Sequence, residues 1–228
     1  RFVPVYIDSP RDRDLLSEKC RERNPELHRE YNVRGVPCVV ILDAEGNKVV
    51  DRVSRAMFHE GVEHTQQFVI KDPVLWSPET PYLYTAITSL FVEGECTDRY
   101  ETRFGIRSIE IRPEEGFFLN GSRRQFQGVC NHHDLGPLGA AVDASALRHQ
   151  LELLKDMGCD AVRTSHNMPA PELVRLCDEM GLMVWEEFWM SGDTRMPNDI
   201  PMHLANAEAT VKRVRNHPSL AYYVCSNE

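Results

Sequence analysis

The second half of the chain carries a pattern that few folds can accommodate. Strand-like runs alternate with amphipathic helical stretches: Arg124–Cys130, then a helix with Leu147, Leu151, Leu154 and Met157 on one face, then Asp160–Arg163. A helix with Leu173, Val174, Leu176, Cys177 and Met180 comes next, then Leu182–Glu186, a helix with Leu204, Ala207, Val211 and Val214, and finally Leu220–Cys225. Punctuation agrees with this reading. Asp143 or Ser145 can cap the first helix and Gly158 can end it; Pro171 opens the second and Gly181 closes it. A β-α-β-α-β-α-β run implies parallel strands joined by right-handed crossovers. A complete (β/α)8 barrel takes ~250 residues, so residues 113–228 are expected to form the first half of a TIM barrel.

The preceding residues have other periods. Between residues 62 and 112, Gln67–Ile70, Tyr82–Phe91, Arg99–Phe104 and Ser108–Ile111 alternate like antiparallel strands, with Pro73, Pro78 and Pro81 between them. An immunoglobulin-like sandwich normally needs ~100 residues, so this stretch is read as part of one. Residues 1–58 read as strand (Phe2–Ile7), helix (Arg11–Arg23), strand (Cys38–Leu42) and strand (Lys48–Val50), with a hairpin turn at Asp43–Asn47. The run Glu30–Asn47, with Gly35-Val36-Pro37 leading into the strand, resembles the C-terminal half of the thioredoxin fold. That family's redox cysteine pair has no counterpart upstream, so thiol–disulfide chemistry is not implied. The whole is α/β, in three partial units.

Charge and cysteine usage narrow the function. The net charge of −9 disfavours a nucleic-acid or anionic-membrane partner, since both need a basic face. No run approaches the ~20 apolar residues of a membrane span. Residues 1–60 are balanced, with 11 basic and 11 acidic residues, whereas 61–228 carry 15 against 24, a shift that suggests two unrelated parts. The seven cysteines are odd in number and include no Cys-x-x-Cys pair, so neither a zinc ribbon nor a redox motif is indicated. Most of them, Cys130 and Cys225 included, are expected to be small packing residues.

In a parallel barrel the chemistry sits at the C-terminal ends of the strands. The segments at the strand ends here are consistently polar: Asn131-His132-His133-Asp134, Arg163-Thr164-Ser165-His166-Asn167, Trp185-Glu186-Glu187-Phe188-Trp189, and Ser226-Asn227-Glu228. Carboxylates, histidines, an arginine and flanking indoles suit a sugar, whose hydroxyls need polar partners and whose ring faces stack on aromatics. Glycoside hydrolysis needs two carboxyls, and Glu228 and Glu187 are the candidates. Trp185, in mid-strand, is expected to fill core, whereas Trp189 is the better stacking platform. His149, His203 and His217 have helix or loop contexts and are read as structural.

At these residues the chain from about Gln66 onward resembles glycoside hydrolase family 2. The likeness rests on Leu75–Tyr84, Arg103–Arg107, Gly116–Gly121, Gly128–Asp134, Val162–Asn167, and Asn216–Ser219 with Ser226-Asn227-Glu228. It implies a β-sandwich leading into a barrel that hydrolyses terminal β-glycosides with retention. By that resemblance Glu228 is the acid/base and Asn227 bonds the sugar's 2-substituent. Arg163 holds the nucleophilic carboxylate ionised, and His166 and His132 bind sugar. Glu187 takes a supporting rather than nucleophilic role. The family's nucleophile ends a later strand, beyond Glu228. Its galactosidases' magnesium-binding Glu-x-His reads Met190-Ser191-Gly192 here, so no metal or other cofactor is expected. Glu186–Asp193 looks more like the exo-glucosaminidase or mannosidase branches, whereas His132–Ala141 is similar to galactosidase-like members, so the sugar stays open.

Three partial units would leave open strand edges and apolar faces, so either further chain or another subunit completes the barrel, or the parts meet at an artificial or misassembled junction near residues 55–65. The 228 residues alone are expected to lack turnover. Two other readings exist. A non-catalytic carbohydrate-binding fragment would bind sugar through Trp189 without hydrolysis, and a thioredoxin-like module would have to act without its cysteine pair. No targeting signal assigns a compartment.

Overall fold

The computed structural model describes residues 38–53, 65–92, 95–188 and 200–225. The elements expected at Phe2–Ile7 and Arg11–Arg23 lie outside the described residues, as do Trp189, Met190-Ser191-Gly192, Asn227 and Glu228. The chain divides into two compact units, one comprising the residues up to Val74 with Leu83–Phe104, the other Leu75–Tyr82 with Gly105 onward.

The first unit is built on one antiparallel sheet of β1 (Cys38–Leu42), β2 (Lys48–Val53), β3 (Tyr84–Val92) and β4 (Glu95–Phe104), in the order β2-β1-β3-β4. The β1–β2 turn forms where the sequence places it. The Asp43 carboxylate accepts the Asn47 backbone N–H at 2.7 Å and the Asn47 side-chain amide at 3.0 Å, and Gly46 takes φ +87°. Cys38, Val40, Leu42, Ile87 and Phe91 make the core of this sheet. Burial pushes the Cys38 thiol up to about 11, with Asp51 adding to the effect, which leaves it a packing residue.

Two expectations change here. The sequence pattern puts Cys38–Leu42 in a thioredoxin-like segment separate from the sandwich, yet the strand pairs along its whole length with Thr85–Ser89 of β3. An all-apolar five-residue strand announces that it is buried but carries no signal of its partner. Gln67–Ile70 forms no strand despite its alternation.

The second unit opens with an antiparallel meander, β5 (Ile109–Arg112), β6 (Gly116–Leu119) and β7 (Ser122–Arg124). Ile109–Arg112, expected in the sandwich, therefore belongs with the residues after it. The run Arg124–Cys130 likewise splits, into β7 and β8 (Gly128–His132). Then come α1 (Ala144–Asp156), β9 (Ala161–Ser165), α2 (Pro171–Met180), β10 (Met183–Glu187), α3 (Ile200–Val214) and β11 (Leu220–Val224). The four strands are parallel and lie in sequence order, β8-β9-β10-β11. Asp143 is the N-cap of α1, accepting the Ala146 N–H at 2.8 Å; Ser145 is not.

One face of this sheet is covered by helices. Val162 and Val184 pack with Leu147 and Leu151 of α1 and Leu173, Leu176 and Cys177 of α2. The opposite face carries aromatic rings low in the sheet. Phe126 meets Phe117 at 4.7 Å, Trp185 at 5.3 Å and Tyr222 at 5.7 Å, and Trp185 meets Tyr222 at 5.0 Å. Trp185 is thus packed among aromatics, as its mid-strand position suggests. Because side chains alternate along a strand, the next residue up on Trp185's face is Glu187.

Asp178, at the C-terminal end of α2, fixes the start of β11. Its Oδ1 accepts the Ser219 N–H at 3.0 Å, its Oδ2 lies 2.5 Å from His217 Nδ1, and its backbone carbonyl accepts the Trp76 indole N–H at 2.9 Å. Arg107 adds bonds to the carbonyls of Pro218 and Leu220. Burial lowers that guanidinium to about 10, against the opposing attraction of Asp178.

Gly181 ends α2 at φ +74°, and a Cβ there would sit 2.3 Å from the Pro78 carbonyl oxygen. Left-handed backbone alone costs an alanine about 1–2 kcal/mol. With the backbone clash added, Gly181→Ala is expected to lose about 2–4 kcal/mol of stability in a denaturant titration; a loss below about 1 kcal/mol would mean that the Pro78 segment yields freely.

Candidate active site

The C-terminal ends of β8, β9 and β10 bring four of the expected residues together. Paired residues in adjacent parallel strands share a face, and the pairs Cys130↔Arg163 and Arg163↔Trp185 put Arg163 on the face away from the helices. Glu187 stands on that same face. Its carboxylate is 1% exposed, and Oε2 accepts from Arg163 twice, from Nε at 2.9 Å and from Nη2 at 2.8 Å. Oε1 lies 3.0 Å from His166 Nδ1. Beyond it, the His166 and His132 rings meet edge to face at 5.1 Å. The result is a row running Arg163, Glu187, His166, His132, deepest at Glu187 and open to solvent at the histidines.

The backbone around Glu187 is held by a side chain. The β9–β10 ladder ends at the Arg163↔Trp185 pair, while β10–β11 pairing continues to Glu187↔Val224. At that opening the Glu187 N–H donates to Thr164 Oγ1 at 3.1 Å, and the Thr164 hydroxyl reaches the Trp185 carbonyl at 3.4 Å.

Cys130 and Cys225 are exposed, which corrects their expected role as packing residues. Cys130 points to the face that none of the described helices covers, where its Sγ lies 3.7 Å from Arg163 Nη1. A shallow cleft adjoins the row, lined by Asn131, His132, His133, Asp134, Gln150 and Asn167 among others. Its loop is internally braced: Asp134 Oδ1 accepts the Gly136 N–H, and His133 Nε2 lies 3.0 Å from the Ala140 carbonyl. Among the described residues no three His, Cys, Asp or Glu side chains converge as a metal ion requires.

Glu186, one residue before Glu187, lies in the same strand-end segment but is not one of the candidate carboxyls named from it. Alternation turns it to the helix-covered face, where it is 0% exposed and neither oxygen has a hydrogen-bond partner among the described residues. Desolvation pushes its carboxyl up to about 7, against a weaker opposing pull from Arg213. Its charge would also face Cys177 and Tyr223, both raised first by burial and then by neighbouring acids. The sequence does hold a signal for it: two adjacent acids in a strand must point to opposite faces.

Comparison with known proteins gives a consistent picture. The family model described as Glycosyl hydrolases family 2 matches residues 28–107, and that of the Glycosyl hydrolases family 2 TIM barrel domain matches residues 109–228. The span of the first match includes residues 55–65. The chain is 43% identical over 199 residues to the β-galactosidase BoGH2A of Bacteroides ovatus, covering 84% of this chain and 23% of that protein. It is 36% identical over 205 residues to a putative β-glucuronidase of Formosa agariphila, covering 87% and 19%. The crystal structure of a glycosyl hydrolase family 2 member from Bacteroides cellulosilyticus superposes with a TM-score of 0.72 at 32% identity, over 82% of this chain and 26% of that one. A β-glucuronidase from Bacteroides uniformis gives 0.75 at 26% identity, over 82% and 23%. The chain thus spans about a quarter or less of the length of these relatives.

Proposed function

The chain belongs to glycosyl hydrolase family 2, and on that premise we propose that it is part of a retaining β-glycosidase that removes terminal β-linked sugars. The observation that carries this reading is the row Arg163, Glu187, His166, His132 at the C-terminal strand ends, on the face that helices leave open. Relatives named β-galactosidase and β-glucuronidase make a β-galactoside or a β-glucuronide the first substrates to try.

In this mechanism Glu228 protonates the glycosidic oxygen as it leaves, and a second carboxylate attacks the anomeric carbon from the opposite face of the ring. Glu228, now ionised, then takes a proton from the water that releases the sugar. Asn227 bonds the 2-hydroxyl and Trp189 stacks on the ring. His166 and His132 offer ring nitrogens to further hydroxyls. Glu187 is not the nucleophile: its two oxygens are engaged by Arg163 and His166, and attack would require breaking both contacts. Arg163, with its Nη1 directed beyond Glu187, keeps a positive charge beside the attacking carboxylate.

The test is hydrolysis by the full-length protein of matched α- and β-linked nitrophenyl glycosides, with proton NMR of the first sugar released. Cleavage of β-galactoside or β-glucuronide with the β-anomer appearing first is expected. Release of the α-anomer first would replace retention by inversion, and cleavage of α-glycosides alone would overturn the reading.

A further inference from the structure

Glu187 is nearly inaccessible to water, so its geometry is set by the protein alone. Arg163 occupies Oε2 through two nitrogens, and a carboxylate so paired can only accept hydrogen bonds. The remaining oxygen, Oε1, faces His166 Nδ1 at 3.0 Å. For that contact to be a hydrogen bond, Nδ1 must carry the proton, and in a neutral imidazole the other nitrogen is then a lone-pair acceptor. The backbone bearing Glu187 is tied to β9 through the Thr164 hydroxyl, past the point where the β9–β10 ladder ends. His166 itself is 44% exposed and packs edge to face on His132, so without Glu187 its ring would have no comparable anchor among the described residues.

We propose that Glu187, seated by Thr164, is a positioning residue that fixes His166 in its Nδ1–H tautomer and so presents Nε2 as a hydrogen-bond acceptor for a sugar hydroxyl. The identity of the ligand rests on the glycosidase reading; the tautomer does not. The consequence is directional selectivity. Nε2 recognises a group that donates a hydrogen bond, such as a hydroxyl, and disfavours one that only accepts, such as an ether oxygen or a methylated hydroxyl.

The experiment uses the full-length protein with ¹⁵N-labelled histidine, reading the two ring nitrogens of His166 by long-range proton–nitrogen correlation at a pH where the ring is neutral. Wild type is expected to show the Nδ1–H form, and Glu187→Gln to lose that preference, because an amide can donate as well as accept. Thr164→Val is expected to lower kcat/KM for a cleaved β-glycoside about tenfold, the worth of one positioned hydrogen bond, and Thr164→Ser to restore it. His166 protonated on Nε2 in the wild type would overturn the proposal. So would an unchanged tautomer in Glu187→Gln. The wild-type spectrum decides the matter even if a variant fails to fold. The expected tautomer in a protein that cleaves no β-glycoside would support the positioning role and sink the glycosidase reading instead.

Discussion

Arg163→Met in the full-length protein is expected to cost about 3–5 kcal/mol of stability, because it strands a carboxylate that is 1% exposed. It is also expected to lower kcat/KM at least about 100-fold, since Glu187 and His166 lose their shared geometry and small misplacements at a reacting centre are costly. Arg163→Lys should not rescue activity. The guanidinium donates to Oε2 through Nε and Nη2 together, and a single ammonium cannot reproduce that fork. The double variant Arg163→Met with Glu187→Leu separates the two effects. Removing both charges should return most of the stability, as apolar replacement of buried pairs often does, while activity stays lost. Activity of Arg163→Met near the wild-type level would show that the row is a structural ion pair and nothing more.

The second large effect is on the pH dependence of stability. Glu186 has a folded value of about 7 against 4.5 for a free carboxyl. Between those values the folded state holds a proton that the unfolded state releases, so stability falls as pH rises. The favourable contribution is complete below about 4.5 and gone above about 7. At 1.36 kcal/mol per unit the whole gap corresponds to about 3 kcal/mol, of which about 2–3 kcal/mol falls between pH 5 and pH 8. Arg213, Cys177 and Tyr223 share this layer, and only Arg213 opposes the rise. Denaturation free energies at pH 5 and pH 8 should therefore differ by less in Glu186→Gln than in wild type, by about that amount. Glu186→Leu, which removes the buried polar atoms altogether, should be the more stable protein at pH 8. Identical slopes in wild type and Glu186→Gln would place an unseen partner on this carboxylate.

Much of the second unit is legible in the residues because its signals are local. Asp143, Gly158, Pro171 and Gly181 mark helix ends through their own backbone chemistry, and the apolar spacing between them gives the covered face. Strand ends in a parallel sheet collect polar groups, and so Arg163, His166, His132 and Glu187 can be named as neighbours without their geometry. The features that are not legible depend on distant partners. Cys38–Leu42 is an apolar run whose pairing with β3 is decided some 45 residues later in the chain, beyond any local period. The split of Arg124–Cys130 into two strands turns on Phe126 packing against Trp185 and Tyr222, about 60 and 100 residues away. Cys130 defies its residue type, which suggests burial, because its strand face is the uncovered one. Glu186 is easily overlooked beside its more conspicuous neighbour, although alternation along β10 separates the two by face.

The most direct measurement is kcat/KM of the full-length protein, wild type against Glu228→Gln, on an unactivated β-glycoside such as a disaccharide. A poor leaving group needs protonation, so loss of a general acid should lower the rate by about 10²–10⁴-fold. That loss, with the fold intact by circular dichroism, is the expected result. Hydrolysis at the wild-type rate in Glu228→Gln would contradict the assignment of β-glycoside cleavage to the strand-end residues of this barrel.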